Sequence, residues 1–261
     1  MDEKLEKNRE YLVVKGNDLI QKSRFELSLP EQKTIAYICS KIKPAENGQP
    51  FQLEYDFDIR EYCKTCGIDY DNGKNYRDVK AILQRLSDRS MWVTFEENPD
   101  EEVLCRWLSK VWTNKRSGMA KIRIDEDLAP YLFGLGKRFT QYQLKNILGM
   151  KSAFSVRIYE ILKSYAYKKT MEIELDELKS MLVVENKKSY VNFKDFRRRV
   201  LEISMKEINE LTDLEVSYET ILKGKKVVGI RFNIATKNGI ELAIADIKTN
   251  NKLNERTREK N

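Results

Sequence analysis

There is no histidine anywhere in the 261 residues. Its absence excludes Ser-His and Cys-His nucleophile pairs, histidine-based zinc hydrolases and the His-hydrophobe-His metal site of nicking enzymes. Also missing are a Gly-rich phosphate loop, a G-x-S-x-G turn and an isolated acidic pair in apolar surroundings. No apolar run approaches the ~18–20 residues that would cross a bilayer, and "MDEKLEKNREY" has no apolar signal region. A soluble, cytoplasmic chain with no membrane partner is expected. The four cysteines, Cys39, Cys63, Cys66 and Cys105, come without a secretion signal, so they do not form a disulfide framework. Cys63 and Cys66 make a C-x-x-C, but a tetrahedral zinc needs two further ligands and no second such pair exists. The expectation is buried thiols, no metal and no cofactor. Carboxylate-bound metal chemistry is the catalytic class that survives these exclusions, and the balance favours binding over catalysis.

What is present is a chain 41% hydrophobic and 34% charged, long enough for one large domain or two ordinary ones. The formal charge is +7, unevenly spread. Residues 1–136 hold 22 Lys/Arg against 24 Asp/Glu, residues 137–240 hold 21 against 13, and the remainder 5 against 4. A basic second half suits a polyanion, because each cation that neutralises a phosphate releases counterions.

Periodicity gives an order of elements. Tyr11–Val14 reads as a short strand, and Asn17 or Asp18 as a helix cap. The next helix tolerates Pro30 in its first turn and places Ile35, Ile38 and Ile42 on one face. "FQLEYDF" alternates as a strand, with Phe51, Leu53, Tyr55 and Phe57 on one side. "DIREYCKTCGI" is a short helix. Asn75–Arg89 is a longer one, with Val79, Ile82, Leu83 and Leu86 inward. "MWVTFEE", "VLCRWLSKVW" and "MAKIRI" are strands, the last two joined by a turn ending at Gly118. A helix-turn-helix followed by a β hairpin is a winged helix.

The order then recurs: a helix with Ser152 as cap, the strand "MEIEL", the short helix "LDELKSMLV", a helix over Asn192–Thr212, and two strands joined by "KGKK". Residues echo as well. "NYRDVK" from Asn75 matches "NFKDFR" from Asn192 type for type, 117 positions on. "FQLEYD" answers "MEIELD", and "MWVTFEE" answers "LEVSYET". The predicted class is α+β, two tandem winged-helix domains related by an approximate internal twofold. The expected layout is a charged tail over 1–10, domain 1 over 11–127, a packed connector over 128–150, domain 2 over 151–245 and a flexible tail over 246–261. Pro130, Gly134 and Gly136 are expected to interrupt any continuous helix in the connector.

"VVKGNDLIQKSRFELSLPEQKTIAYICSKI", "FTQYQLKNILGMKSAFSVRIYEILKSY" and "FKDFRRRVLEISMKEINELTDLEVSYE…GKKVVGIRF" together resemble the replication initiators of iteron-containing, theta-type plasmids, over roughly residues 11–235. The resemblance implies monomers that bind repeated double-stranded origin DNA and start melting and helicase loading with a host initiator and helicase. It also implies dimers, formed largely through domain 1, that act as autorepressors or inactive stores.

The residues themselves suggest the contacts. On a regular helical wheel Phe193, Phe196, Val200, Ile203, Ser204, Ile208 and Leu211 face inward. Lys194, Asp195, Arg198, Arg199, Glu202, Met205, Lys206 and Asn209 face outward, with Arg197 at the boundary. Lys194, Arg197, Arg198 and Arg199 are the candidate base readers, Arg198 foremost, since an arginine forks onto guanine O6 and N7. Lys187, Lys188, Lys206 and the wing residues Lys223, Lys225 and Lys226 are candidate phosphate contacts. In domain 1 Arg77, Lys80 and Arg85 lie on the equivalent helix and Lys115 and Arg116 on its wing; "EENPDEE" offsets them, so weaker contacts and self-association are expected there. Trp107 and Trp112 line either a dimer surface or the core. A double winged-helix transcriptional repressor is the alternative, and a metal-dependent DNA-processing enzyme the third.

Overall fold

The computed structural model describes residues 3–42, 50–68, 73–94, 100–133 and 138–258. The loops expected at "KPAENGQP" and "DYDNGKN", most of "EENPDEE", and Gly134 and Gly136 lie wholly or largely outside them.

The chain opens with α1 (Glu3–Glu10), β1 (Leu12–Gly16), α2 (Asn17–Gln21) and α3 (Leu29–Lys41). The expected charged tail is thus a helix, and its last turn buries Asn8 and Arg9. Arg9 donates to the Thr65 carbonyl at 3.1 Å and Asn8 to Glu61 at 3.2 Å, so long polar side chains fix a segment that lacks an apolar stripe. Neither Asn17 nor Asp18 caps α2; its N-cap is Gly16, and the Asn17 side-chain Oδ1 instead accepts from the Thr140 hydroxyl at 2.7 Å. At α3, Glu31 reaches back to the Ser28 amide at 2.8 Å, half of a capping box, with Pro30 in the first turn.

The first helix-turn-helix follows: β2 (Glu54–Asp58), α4 (Ile59–Thr65) and α5 (Gly73–Asp88). Asp58 caps α4 by accepting from the Arg60 and Glu61 amides at 2.9 and 3.0 Å. Val79, Ile82, Leu83 and Leu86 of α5 are buried, as their spacing requires. Next come β3 (Ser90–Thr94), β4 (Glu102–Arg106), β5 (Leu108–Asn114) and β6 (Met119–Ile124). The single strand expected over "VLCRWLSKVW" is broken at Trp107, which lies in the core with its ring edge-on to Phe25 at 5.1 Å. Its indole anchors the break, so β4 pairs with β3 while β5 joins β6 and β2.

Then come α6 (Ala129–Phe133), β7 (Phe139–Gln143), α7 (Lys145–Leu148), α8 (Ala153–Tyr165), β8 (Thr170–Glu174) and α9 (Leu175–Met181). A continuous helix spans α10 (Phe193–Phe196), a π-helical segment (Arg197–Leu201) and α11 (Glu202–Leu211); β9 (Leu214–Lys223), β10 (Lys226–Thr236) and α12 (Gly239–Arg258) complete the chain. Residues 246–258 of the expected flexible tail belong to α12. Its residues Ala245, Thr249 and Leu253 are buried, Lys145 pairs with Asp246 at 2.7 Å and Lys252 with Glu210 at 3.1 Å. A buried face of three small or medium residues spaced by four, one of them the threonine that donates to the Leu211 carbonyl, was too sparse to stand out among the polar residues of this stretch.

Two sheets share one strand order. The first is β2-β6-β5 and the second β8-β10-β9, both antiparallel, each built from the strand before a helix-turn-helix and the hairpin after it. Both hairpins turn at a glycine of positive φ, Gly118 at 70° and Gly224 at 62°. The protein therefore consists of two winged-helix domains of one topology. The counterpart of β9 is β5, so "MWVTFEE" does not answer "LEVSYET"; it enters β3, part of an extra β3–β4 hairpin found only in the first copy. The "FQLEYD" echo also shifts: β2 ends at Asp58 and β8 at Glu174, so Tyr55 and Phe57, not Phe51 and Leu53, correspond to Met171 and Ile173.

The domains meet on α8. Lys15 of β1 forms a buried ion pair with Glu160 at 2.6 Å, and Tyr142 of β7 donates to the same carboxylate. Arg157 donates to the Ser23 carbonyl at 3.0 Å and lies over the Phe25 ring, 4.4 Å from its centroid. Burial pulls its guanidinium down to about 10, with Glu160 acting in the opposite direction.

Candidate nucleic-acid interface

The second helix-turn-helix presents its cations through an irregular helix. Asn192 caps α10 by accepting from the Lys194 amide at 2.8 Å. Asn75, its sequence counterpart, sits inside α5, so the matching hexapeptides start their helices differently. From Arg197 to Leu201 the backbone is π-helical. A π turn takes in an extra residue and rotates every side chain beyond it relative to a regular wheel. Ile203, expected inward, is 43% exposed, while Met205, expected outward, is 8% exposed. Leu201 and Glu207 are buried as well. Glu207 accepts from the Lys151 and Ser152 amides at 2.8 and 3.2 Å, tying α11 to the start of α8. The remaining inward positions, Phe196, Val200, Ser204, Ile208 and Leu211, are buried, with Phe193 half-buried.

The same segment leaves Arg197, Arg198 and Arg199 exposed together, with Lys194 one turn before them and Lys206 beyond. Arg198 is held to Asp195 at 3.1 Å and Arg197 to Glu202 at 3.2 Å. Arg199 has no ion pair among the described residues. Lys223, Lys225 and Lys226 are exposed around the wing turn. Lys194 and these three lysines line a cleft of about 1300 Å³ between the helix start and the wing, whose other wall carries Glu172, Glu174, Asp176, Glu177 and Glu185. The acidic wall, which the cation-led reading of the sequence overlooked, repels phosphate from the cleft floor and leaves the helix edge and wing tip as the attractive surface. Lys188 is exposed, but Lys187 is engaged with Glu26 of domain 1 at 2.6 Å.

In domain 1 Arg77 and Lys80 are exposed on α5, and Lys115 and Arg116 at the wing turn. Arg85 instead faces α3, where its Nε donates to Glu31 at 2.7 Å, so it braces the helix pair. Trp112, on β5, is partly exposed with Lys110 and Lys121 over its ring at 4.9 and 5.4 Å. Alternation along "SKVWTNK" was the signal for that cluster. Cys63 and Cys66 are buried thiols, and no group of three potential metal ligands occurs among the described residues. No helix among them is long and apolar enough to cross a membrane.

Two winged helices, each presenting cations on its second helix and wing, define a tandem winged-helix protein of the nucleic-acid-binding type. Residues 12–163 match the family described as initiator replication protein, WH1, and residues 174–234 that described as initiator Rep protein, WH2. The chain belongs to this initiator replication protein family. It is 29% identical over 216 residues to a replication initiation protein of Escherichia coli, an alignment covering 79% of this chain and 65% of that one. An uncharacterized 27.6 kDa protein of Escherichia coli is 27% identical over 158 residues, 59% of this chain and 64% of that one. The chain thus spans just under two thirds of the length of both relatives. Among solved structures, the Pi initiator protein in complex with iteron DNA is similar in fold, with a TM-score of 0.68 at 19% identity, over 88% of this chain and 99% of the other.

Proposed function

We propose that this protein is a plasmid replication initiator that binds repeated double-stranded origin sequences, promotes their opening and brings host initiator and helicase to the site, without enzymatic activity of its own. The observation that carries this reading is the run Arg197–Arg199, exposed on the π segment beside the Lys223–Lys226 wing, in a chain of the initiator family. Arg198 and Arg199 read base edges, with Lys194 and Arg197 beside them. The wing lysines, Lys188 and Lys206 hold phosphates; Lys187 joins them on release from Glu26. Arg77, Lys80, Lys115 and Arg116 add phosphate contacts along the same duplex. The relevant compartment is the bacterial cytoplasm.

Self-association belongs to domain 1, but not through Trp107, which is core. The support is the outer face of the β3–β4 hairpin, where Trp92 and Leu104 stand directly opposite each other, 53% and 51% exposed. A dimer closed there suits autorepression.

The test is footprinting on the DNA that flanks the gene, with permanganate probing of any A·T-rich stretch beside it. Protection of direct repeats together with thymine reactivity in that stretch supports an initiator, whereas protection without opening supports a repressor. Metal-dependent cleavage of the same plasmid, abolished by a single carboxylate change, would overturn the non-enzymatic reading.

A further inference from the structure

α12 carries side chains suited to burial on two opposite faces. Ala245, Thr249 and Leu253 are buried on the face that docks the helix. Ile240, Ile244 and Ile247 fall on the other at spacings of four and three, which on a helix is one stripe. They are 78%, 48% and 60% exposed, and Ala243 beside them is exposed too. Elsewhere among the described residues no element exposes more than one large apolar side chain. A surface helix needs only the stripe that docks it. A second apolar strip, rimmed by polar residues, is a contact surface that a single copy of the chain leaves open.

The charges of the helix say what fits the strip. Asp246 and Lys252 are used within the chain, on Lys145 and Glu210. Glu241 and Lys248 are exposed and make no ion pair among the described residues; Glu241 accepts the Asn238 amide at the helix start, at 3.3 Å. Two turns apart, they stand on one flank of the isoleucines. A second α12 laid antiparallel across a twofold axis sets Glu241 of each copy beside Lys248 of the other, while Ile244 and Ile247 meet their mates. Laid parallel, the same charges face the uncharged flank of Ala243 and Asn250 and pair with nothing. A partner of one charge sign would attract one of the two and repel the other, so the flank is complementary to itself. Three isoleucines a side fall far short of the ~20–30 residues a side of a standard interface, which makes this contact weak, with a dissociation constant on the order of 0.1 mM.

We infer that the Ile240, Ile244 and Ile247 strip of α12 is a self-association surface, closed by the same strip of a second copy in antiparallel register with Glu241 on Lys248 across it. The contact is separate from the hairpin face of domain 1 and does not rest on the replication reading. A chain with two isologous faces builds past a dimer, where a single face stops at two copies.

The experiment is sedimentation equilibrium of the full chain from micromolar to submillimolar concentration, at low salt so that the ion pairs are not screened. Ile244→Ser with Ile247→Ser should weaken one association step about tenfold or more, since four apolar side chains leave each contact. Glu241→Lys and Lys248→Glu should each weaken it about threefold or more, because each turns both attractions into repulsions. Glu241→Lys combined with Lys248→Glu in one chain should return to the parent. An equimolar mixture of the two single variants should associate more tightly than either alone, a result peculiar to an antiparallel twofold contact. All replaced side chains are exposed, and a circular-dichroism melt matching the parent confirms the fold; Lys248→Glu, in mid-helix, with the combined variant decides the matter even if Glu241→Lys loosens the helix start. Equal association of the parent and the serine variant overturns the inference. A combined variant no tighter than Lys248→Glu also overturns it and assigns the strip to a different protein. Repeat duplex is a separate arm, whose failure would overturn the proposed function and leave this contact standing.

Discussion

Glu207 carries a prediction about the joint between α11 and α8. Three residues from buried Ser204 and four from buried Leu211, it lies on the inner face of α11, where it is 8% exposed and accepts two backbone amides at the start of α8. Hydrogen bonds to a charged group contribute about 1.5–3 kcal/mol each, and a negative charge at a helix N-terminus adds ~0.3–1 kcal/mol. Removing the carboxylate also leaves the Lys151 and Ser152 amides without this acceptor. Allowing for relaxation and water entry, Glu207→Ala should cost about 3 kcal/mol. Glu207→Gln keeps one neutral acceptor and should cost about half that. With ~2–4 °C per kcal/mol for a chain of this size, the melting temperature should fall by roughly 6–12 °C for Ala. Urea denaturation followed by circular dichroism gives the free energy directly. If both variants lie within about 0.5 kcal/mol of the parent, the clamp does not exist as drawn.

Other expectations concern different links. Arg198→Ala should leave stability within about 0.5 kcal/mol, because its pair with Asp195 is exposed, yet weaken repeat binding by about 1–3 kcal/mol and relax preference at one base pair; equal loss on all sequences would make Arg198 a phosphate contact. Lys225→Ala should weaken binding to all duplexes alike and reduce the salt slope by about one, as measured by anisotropy across a salt series. Burial pushes the Glu31 carboxyl up, but hydrogen bonds from Ser28 and Arg85 and the charge of Arg89 outweigh it, so its pKa in the folded state lies below the usual range. Its contribution is therefore complete above the unfolded value of ~4.3 and lost as pH falls through the lower folded value; Glu31→Gln should reduce stability at pH 7 and flatten the acid limb of the stability profile. Glu160→Ala should destabilise by about 3–5 kcal/mol by stranding Lys15, whereas Lys15→Met with Glu160→Leu should come close to the parent in chemical denaturation.

Much of the architecture was legible because it is written in period. The α5 positions Val79, Ile82, Leu83 and Leu86 repeat at helical spacing, and the wings announce themselves by strands flanking Gly118 and Gly224. Where the sequence misled, a tertiary effect had overridden local pattern. Trp107 looked like one more strand residue, but its indole seeks the core and breaks the strand. α1 is charged at most positions and docks by hydrogen bonds, which leave no periodic trace. The candidate site was legible as a set of cations, since charge at a helix start is a composition signal. Its geometry was not: three consecutive arginines cannot share a regular helical face, and nothing in "FRRRVLEI" marks a change of pitch. The pairs that Lys187 and Arg85 make left no mark in the sequence because their partners, Glu26 and Glu31, lie 161 and 54 residues away.

The last helix bears on how such a protein can be inherited. α12 begins in the second domain, rests against α7 and α11, and in its second half sets the Leu253 carbonyl 3.1 Å from where a side chain at Gly67 of the first domain would begin. A duplicated unit is ordinarily free to be exchanged, trimmed or diverge alone. Here a strap laid across both copies makes each answerable to the other: Gly67 cannot change freely while Leu253 lies over it, and a swapped second domain must bring a helix that fits a stranger. The two copies therefore evolve as one object, whatever their shared topology says of their origin.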